Sequence, residues 1–312
     1  MKKIALTILV VTSLFAVSAW GKEGGDQYPN GGENWFAGSA PPAGHYYVNY
    51  FGYYTGKLKD GAGQPALLSG STPEVDATFN ALRFVEMTRF KLLGGQYGAH
   101  VIVPVVYQSA YIGSRASNTN LGDVIINPFI LGWHGQRWHA LAAVDIFLPT
   151  GYYNKNDPRV STGANYYGFD PLVAVSFIGK TGWEASGKFM YNLKTTNTAT
   201  NYHSGQEFHA DYAAGKHIGG WLVGATGYGL KQTTDDMQNG VVVPATAGLY
   251  DIGRRGQVFA IGPSLGYTNA RHMTVMVDWQ HETLVRNRFG GDKFWIKAII
   301  PVDSLFSHGP TQ

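Results

Sequence analysis

Glu207, His209 and Asp211 occupy alternate positions, so an extended chain would present a carboxylate, an imidazole and a second carboxylate on one face. Such a set could donate to a divalent cation, with further ligands from neighbouring segments. The simpler reading is a row of polar side chains facing water, and no metal or other cofactor is expected. His203 and Ser204 are neighbours and point apart on an extended chain, so they make no nucleophile–base pair and no catalytic residue is assigned. The one-sided placement of polar groups recurs elsewhere. Glu184 and Lys188 share a face of 183–193, Asp278 lies in 271–279, Asp123 and Asn127 in 121–133, and Asp145 in 138–149.

The elements that must position these residues read as strands. In WEASGKFMYNL (183–193), Trp183, Ala185, Gly187, Phe189, Tyr191 and Leu193 alternate with Glu184, Ser186, Lys188, Met190 and Asn192. Phe208, Ala210 and Tyr212 alternate with Glu207, His209 and Asp211, and Val275, Val277 and Trp279 with Thr274, Met276 and Asp278. Phe294, Ile296, Ala298 and Ile300 oppose Trp295 and Lys297. Segments of this kind predict twelve strands, at 45–57, 76–90, 96–108, 121–133, 138–149, 164–178, 182–194, 206–215, 219–231, 256–268, 271–283 and 292–301. Two are irregular. Segment 76–90 sets Arg83 and Arg89 on one face and Glu86 on the other, which calls for a bulge. Segment 219–231 is glycine-rich and weakly specified in register.

The connections between these strands alternate without exception. Those at 58–75, 109–120, 150–163, 195–205, 232–255 and 284–291 run from 8 to 24 residues, whereas the intervening five run from 2 to 5. Outer-membrane barrels have short periplasmic turns and long extracellular loops, and a soluble up-and-down barrel has no reason to sort its loops this way. The chain opens with Lys2 and Lys3, an apolar run from Ile4 to Val17 and small residues at Val17-Ser18-Ala19, the pattern of a secretory signal peptide over 1–19. Cysteine is absent, so no disulfide holds the exported chain. Glycine is abundant at 41 residues, and charged residues are only 14%, against about 25% in ordinary soluble domains. Without Lys2 and Lys3 the balance is 22 basic to 21 acidic residues, which suggests no nucleic-acid partner. Together these features turn the apolar face to lipid and the polar face into a wet lumen.

The chain also resembles a known family. The resemblance rests on EGGDQYPNGGENWFAGSAPPAGHYYVNYFGYY after the signal, GDVIINPFILGWHG with FLPTGYYN, KFMYNLKTTN, YHSGQEFHADYA and the closing GGDKFWIKAIIP. In that order, over nearly all of the mature chain, these are similar to the outer-membrane meta-pathway phenol-degradation family, whose members are often labelled simply transporters. The resemblance implies an outer-membrane barrel and passage of small hydrophobic or aromatic compounds. A common barrel habit is to end on an aromatic residue; here Val302 to Gln312 trail the last strand.

The resulting expectation is an all-β transmembrane antiparallel β-barrel of about twelve strands over 45–301, preceded by a leader or plug at 20–44 and followed by a tail at 302–312. It would act as a channel in the cell outer membrane, contacting membrane lipid and passing a hydrophobic or aromatic solute, with no enzyme activity. The oligomeric state is left open. An interfacial barrel lipase is the alternative of another class, to be separated by a lipid-hydrolysis assay. An adhesive barrel acting through long loops such as 232–255 is another, to be separated by loop deletion. The expected lumen residues are Tyr47, Phe51, Tyr53, Asp123, Asn127, Asp145, Glu184, Lys188, Glu207, His209, Asp211 and Asp278. Tyr46, Val48, Tyr50 and Tyr54 would then face lipid, as would Val124, Ile126 and Ile130. Trp35 and Phe36 would tuck into the lumen as a plug. The inward carboxylates outnumber Lys188 and Lys297, which favours a mildly cation-preferring pore.

Overall fold

The computed structural model describes residues 26–303. The expected signal peptide and the tail beyond Asp303 lie outside the described residues. Twelve strands carry the barrel: β1 Gly44–Lys59, β2 Glu74–Leu92, β3 Gly95–Ile112, β4 Ile125–His134, β5 Trp138–Phe147, β6 Gly168–Ile178, β7 Trp183–Lys194, β8 Glu207–Ile218, β9 Trp221–Gln232, β10 Gln257–Thr268, β11 Thr274–Arg286 and β12 Arg288–Pro301. Each pairs antiparallel with its sequence neighbours, and β12 returns to β1 from Tyr46↔Pro301 to Lys59↔Arg288, so the sheet closes without an edge. Closure matters in lipid, where an unpaired backbone group has no water to turn to.

Alternation decides which way each strand faces. In β7, Trp183, Phe189 and Leu193 are exposed, while Glu184, Ser186, Lys188, Met190, Asn192 and Lys194 are buried. In β11, Val275, Val277 and Trp279 point out against Thr274, Met276 and Asp278. Trp138, Trp183 and Trp221 begin β5, β7 and β9 and point outward at one end of the barrel, as rings of a membrane–water girdle do. That end carries the short turns, at 93–94, 135–137, 179–182, 219–220 and 269–273.

The other end carries connections at 60–73, 113–124, 148–167, 195–206 and 233–256. The expected loop at 284–291 is absent. β11 and β12 pair with each other as far as His281↔Asp292. Beyond that β11 stays on β10 to Gln257↔Arg286 and β12 on β1 to Lys59↔Arg288, and the chain turns between them at Asn287, whose φ is 51°. Gly291 allows β12 to approach β1 closely, because a Cβ there would stand 2.1 Å from the Thr55 carbonyl oxygen. A strand at Ser114–Leu121 folds back on β3 and lengthens the wall beyond the barrel.

β2 carries the bulge its charges call for, a register shift against β3 between Met87 and Lys91. Before it Arg83 lies on the inner face, and after it Arg89 is exposed. A second irregularity, between Ile126 and Ile130 of β4 around Pro128, turns Ile130 inward, where it is buried, contrary to its expected lipid position. The glycine-rich β9 keeps an unbroken register with β10, from Trp221↔Tyr267 to Lys231↔Gln257.

Candidate functional site

Residues 26–43 run down the barrel interior, from Asp26, bonded to Arg288 at the loop end, to Pro42, whose carbonyl accepts from Tyr46 at the turn end. This segment pairs with no strand, so side chains of the wall satisfy its backbone. Asp211 of β8 accepts from the Gly31 N–H at 2.7 Å, the Glu33 N–H at 3.1 Å and the Tyr28 hydroxyl at 2.8 Å. Glu184 accepts from the Phe36 N–H at 2.7 Å, and Ser176 from the Gly38 N–H at 2.9 Å. From the opposite wall Lys293 donates to the Asn30 carbonyl at 3.1 Å. Lys297 donates to the Gly32 carbonyl at 3.3 Å and to Asn34 Oδ1 at 2.8 Å.

Trp35 is buried, and its indole N–H donates to Ser264 Oγ at 2.8 Å. Two wall glycines make room for it: a Cβ on Gly215 or Gly224 would lie 2.7 or 2.8 Å from the Trp35 ring. The weak pattern of β9 thus has a physical reason. Phe36 packs on His217, ring centroids 5.4 Å apart.

At mid-height Glu33 turns its side chain to the other wall. Arg83 of β2 and Lys188 of β7 both pair with its carboxylate, and Tyr50 of β1 donates to it at 2.9 Å. Arg83 Nη2 reaches His100 Nδ1 of β3 at 2.9 Å, and His100 Nε2 lies 3.1 Å from Asp145 of β5. Asp145 accepts from Asn127 at 2.8 Å and stands 3.7 Å from Lys188. This charged waist separates two cavities. The turn-side cavity, of about 510 Å³, is lined by Val48, Val85, Leu141, Leu172 and Ile299. The loop-side cavity, of about 390 Å³, is lined by Val75, Phe79, Ile102, Pro104 and Ile125. Glu33, Tyr50 and Asp145 line both.

Of the residues expected to line the lumen, Asn127, Asp145, Glu184, Lys188, Glu207, His209, Asp211 and Asp278 lie on the inner face and are buried. Asp123 sits past the strands, where its carboxylate accepts from the Gly151 and Ala164 N–H groups at 2.9 Å each. Burial pushes its carboxyl up, against those bonds. Tyr47, Phe51 and Tyr53 are corrections: they face outward, and Tyr46, Val48, Tyr50 and Tyr54 face inward. The reason is pairing, because directly opposed residues share a face. Phe51 stands opposite Ile296 on the outside, and Tyr50 opposite Lys297 on the inside.

The Glu207, His209 and Asp211 row is not gathered on one point. Glu207 pairs with Lys194, His209 with Asp170 at 3.2 Å, and Asp211 with the inner segment. Among the described residues no three metal-ligating side chains converge. His203 turns its ring nitrogens to Thr196 and Gln206, at 3.3 and 3.1 Å, rather than to Ser204. The sequence reading missed Glu33, Arg83, His100, Asp170, Lys194 and Lys293. Ahead of the β2 bulge, alternation with Ala81 and Met87 puts Arg83 inside, and alternation with Leu172 and Ala174 does so for Asp170. The added residues narrow the carboxylate excess without removing it, since Glu33 and Asp170 join the carboxylates while Arg83, Lys194 and Lys293 join the bases; Asp278 pairs with Lys297 and Glu184 with His217.

The family profile described as "Putative MetA-pathway of phenol degradation" matches residues 55–298. No curated protein sequence matches the chain. Among solved structures, the COG4313 outer membrane channel from Pseudomonas putida F1 superposes with a TM-score of 0.69 at 12% identity, covering 83% of this chain and 96% of that one. The beta domain of the Bordetella autotransporter BrkA gives 0.46 at 10% identity, covering 82% and 98%. The Pseudomonas putida toluene transporter TodX gives 0.43 at 9% identity, covering 88% and 91%. The first of these likenesses shows the fold, an outer-membrane type of β-barrel.

Proposed function

This chain belongs to the MetA-pathway phenol-degradation family, and we propose that it is an outer-membrane channel through which small hydrophobic or aromatic molecules pass down their gradient. The observation that carries this reading is the pair of apolar cavities stacked end to end within the barrel and meeting at the Glu33 waist. Their volumes fall in the range of small-molecule sites, which are mostly apolar with a few placed polar groups. Membership of the family and the likeness to an outer membrane channel agree with it. The outward face of Phe169, Val173, Phe189, Val277 and Ile296 meets lipid.

Residues 26–43 serve as the plug. They fill the polar side of the lumen and reach across to Arg83 and Lys188 through one side chain. No enzyme chemistry is assigned, because the inner polar groups are committed to one another and to the plug.

Swelling of proteoliposomes in phenol and in sugars of similar mass tests the reading. Phenol should enter through the protein and the sugars should lag; equal or faster sugar entry would remove the proposal. Deleting 22–40 should raise single-channel conductance, and an unchanged conductance would mean that the segment blocks nothing.

A further inference from the structure

The waist holds a carboxylate that the wall does not own. Arg83 and Lys188 belong to strands on different parts of the barrel, yet both converge on Glu33, which the unpaired inner segment supplies. Glu33 is the carboxylate that Arg83 pairs with, whereas Lys188 also has Asp145 at 3.7 Å, itself shared with His100 and Asn127. If the segment moved alone, Arg83 would stay in a low-dielectric lumen without its paired anion and Lys188 would keep only the longer contact, which is penalised.

The site is shaped for a two-oxygen anion. Tyr50 and Arg83 address Oε1 of Glu33, and Lys188 addresses Oε2. A carboxylate offers both oxygens, whereas a phenolate offers one. The Arg83 fork also has an open position, because its buried Nε has no hydrogen-bond partner among the described residues. Arg83, Lys188, Tyr50 and His100 all line the turn-side cavity, which also offers an apolar wall of Val48, Val85, Leu141, Leu172 and Ile299.

We propose that this waist is a binding site for an aryl carboxylate, whose anion replaces Glu33 between Arg83 and Lys188 while its ring lies in an adjoining cavity. The exchange swaps one carboxylate for another, so the cations never lose their partner and the inner segment is set free. Binding and opening are then one event. The inference rests on the channel reading and names a solute class for it.

Binding of benzoate and of its neutral analogue benzyl alcohol to the purified full-length chain, followed by calorimetry, tests the proposal. Glu33→Gln removes the internal competitor and should tighten benzoate by about tenfold or more, because less of the site is self-occupied. Arg83→Met should weaken benzoate by about tenfold or more, as loss of a charged partner does. Benzyl alcohol should change little in either variant. Equal response of the two probes to Glu33→Gln would overturn the proposal, as would benzoate affinity unchanged in Arg83→Met. If Arg83→Met does not fold, Lys188→Met serves, and the gain in Glu33→Gln cannot come from misfolding. Proteoliposome flux separates the two levels. Benzyl alcohol passing while benzoate neither binds nor competes would sink the anion site alone; failure of both probes to bind or pass would sink the channel reading with it.

Discussion

The two halves of the inner wall are built from different residues. β7, β8, β11 and β12 present Glu184, Asp211, Gln280, Lys293 and Lys297, which hold the inner segment, and Asp278, which pairs with Lys297. β2 to β5 present Ala81, Ile102, Ile125 and Ala143 and leave open space. A lumen that were polar all round would hold water, and one apolar all round could not satisfy a threaded backbone. Dividing the circumference lets one arc anchor the plug and the other offer a greasy passage. At the waist the plug crosses from one arc to the other by charge pairing, through Glu33.

The comparison can be broken most strongly at Trp35, the main apolar anchor on the polar side. Trp35→Ala should cost about 3–5 kcal/mol of segment docking, the usual range for emptying a buried tryptophan site. Protease sensitivity within 26–43 should rise while heat-resistant migration of the barrel on gels stays unchanged. Loss of both together would mean that segment and wall fold as one unit.

Asp211→Asn comes next. It keeps one acceptor but removes the charge that receives Tyr28, Gly31 and Glu33, and should loosen the segment by about 1–3 kcal/mol. Hydrogen exchange at Gly31 and Glu33 would report it, and unchanged protection would show that the lysine arc suffices.

The other half is sharpened by filling it. Ala143→Trp projects into the turn-side cavity at an overpacking cost of about 1–3 kcal/mol. Phenol entry should fall while protection of 26–43 is kept. Undiminished entry would place the passage elsewhere.

The smallest effect lies above the apolar half, where Pro158 and Arg159 border the loop-side cavity. The side-chain bonds from Arg159 hold the Asp157 carboxyl below its usual range. A depressed folded value means that the pair stabilises fully above the ordinary carboxylate value of about 4, and that this is lost as pH falls through the lower folded value. Protection factors over 154–162, taken relative to the intrinsic exchange rate, should therefore fall as the pH drops below about 4, an effect that Asp157→Asn should abolish.

How much of this was legible in sequence depends on contrast between faces. β7, β8, β11 and β12 alternate charged with aromatic or aliphatic residues, so either neighbour of any residue reveals its side. β1 reads YYVNYFGYY, with tyrosines on both faces, and its own pattern cannot say which is inner. Pairing with β12 decides it, and that pairing exists only once the sheet closes. Bulges hide residues in another way. One extra residue reverses the parity of everything after it, which is how Ile130 came to lie opposite to a simple alternation.

By itself the sequence determined the strand number, the lipid-facing side of the strands whose two faces differ in polarity, and the sorting of five long loops to one end. Those follow from a period of two and from turn residues, both local properties of the chain. Tertiary structure alone decided that positions 33, 50, 83, 100, 145 and 188 meet at one waist. Their side chains share no period and no neighbourhood in sequence. They meet because closing twelve tilted strands around a threaded segment brings distant inner faces within hydrogen-bond reach, and a buried charge in that space must find a partner wherever the wall offers one.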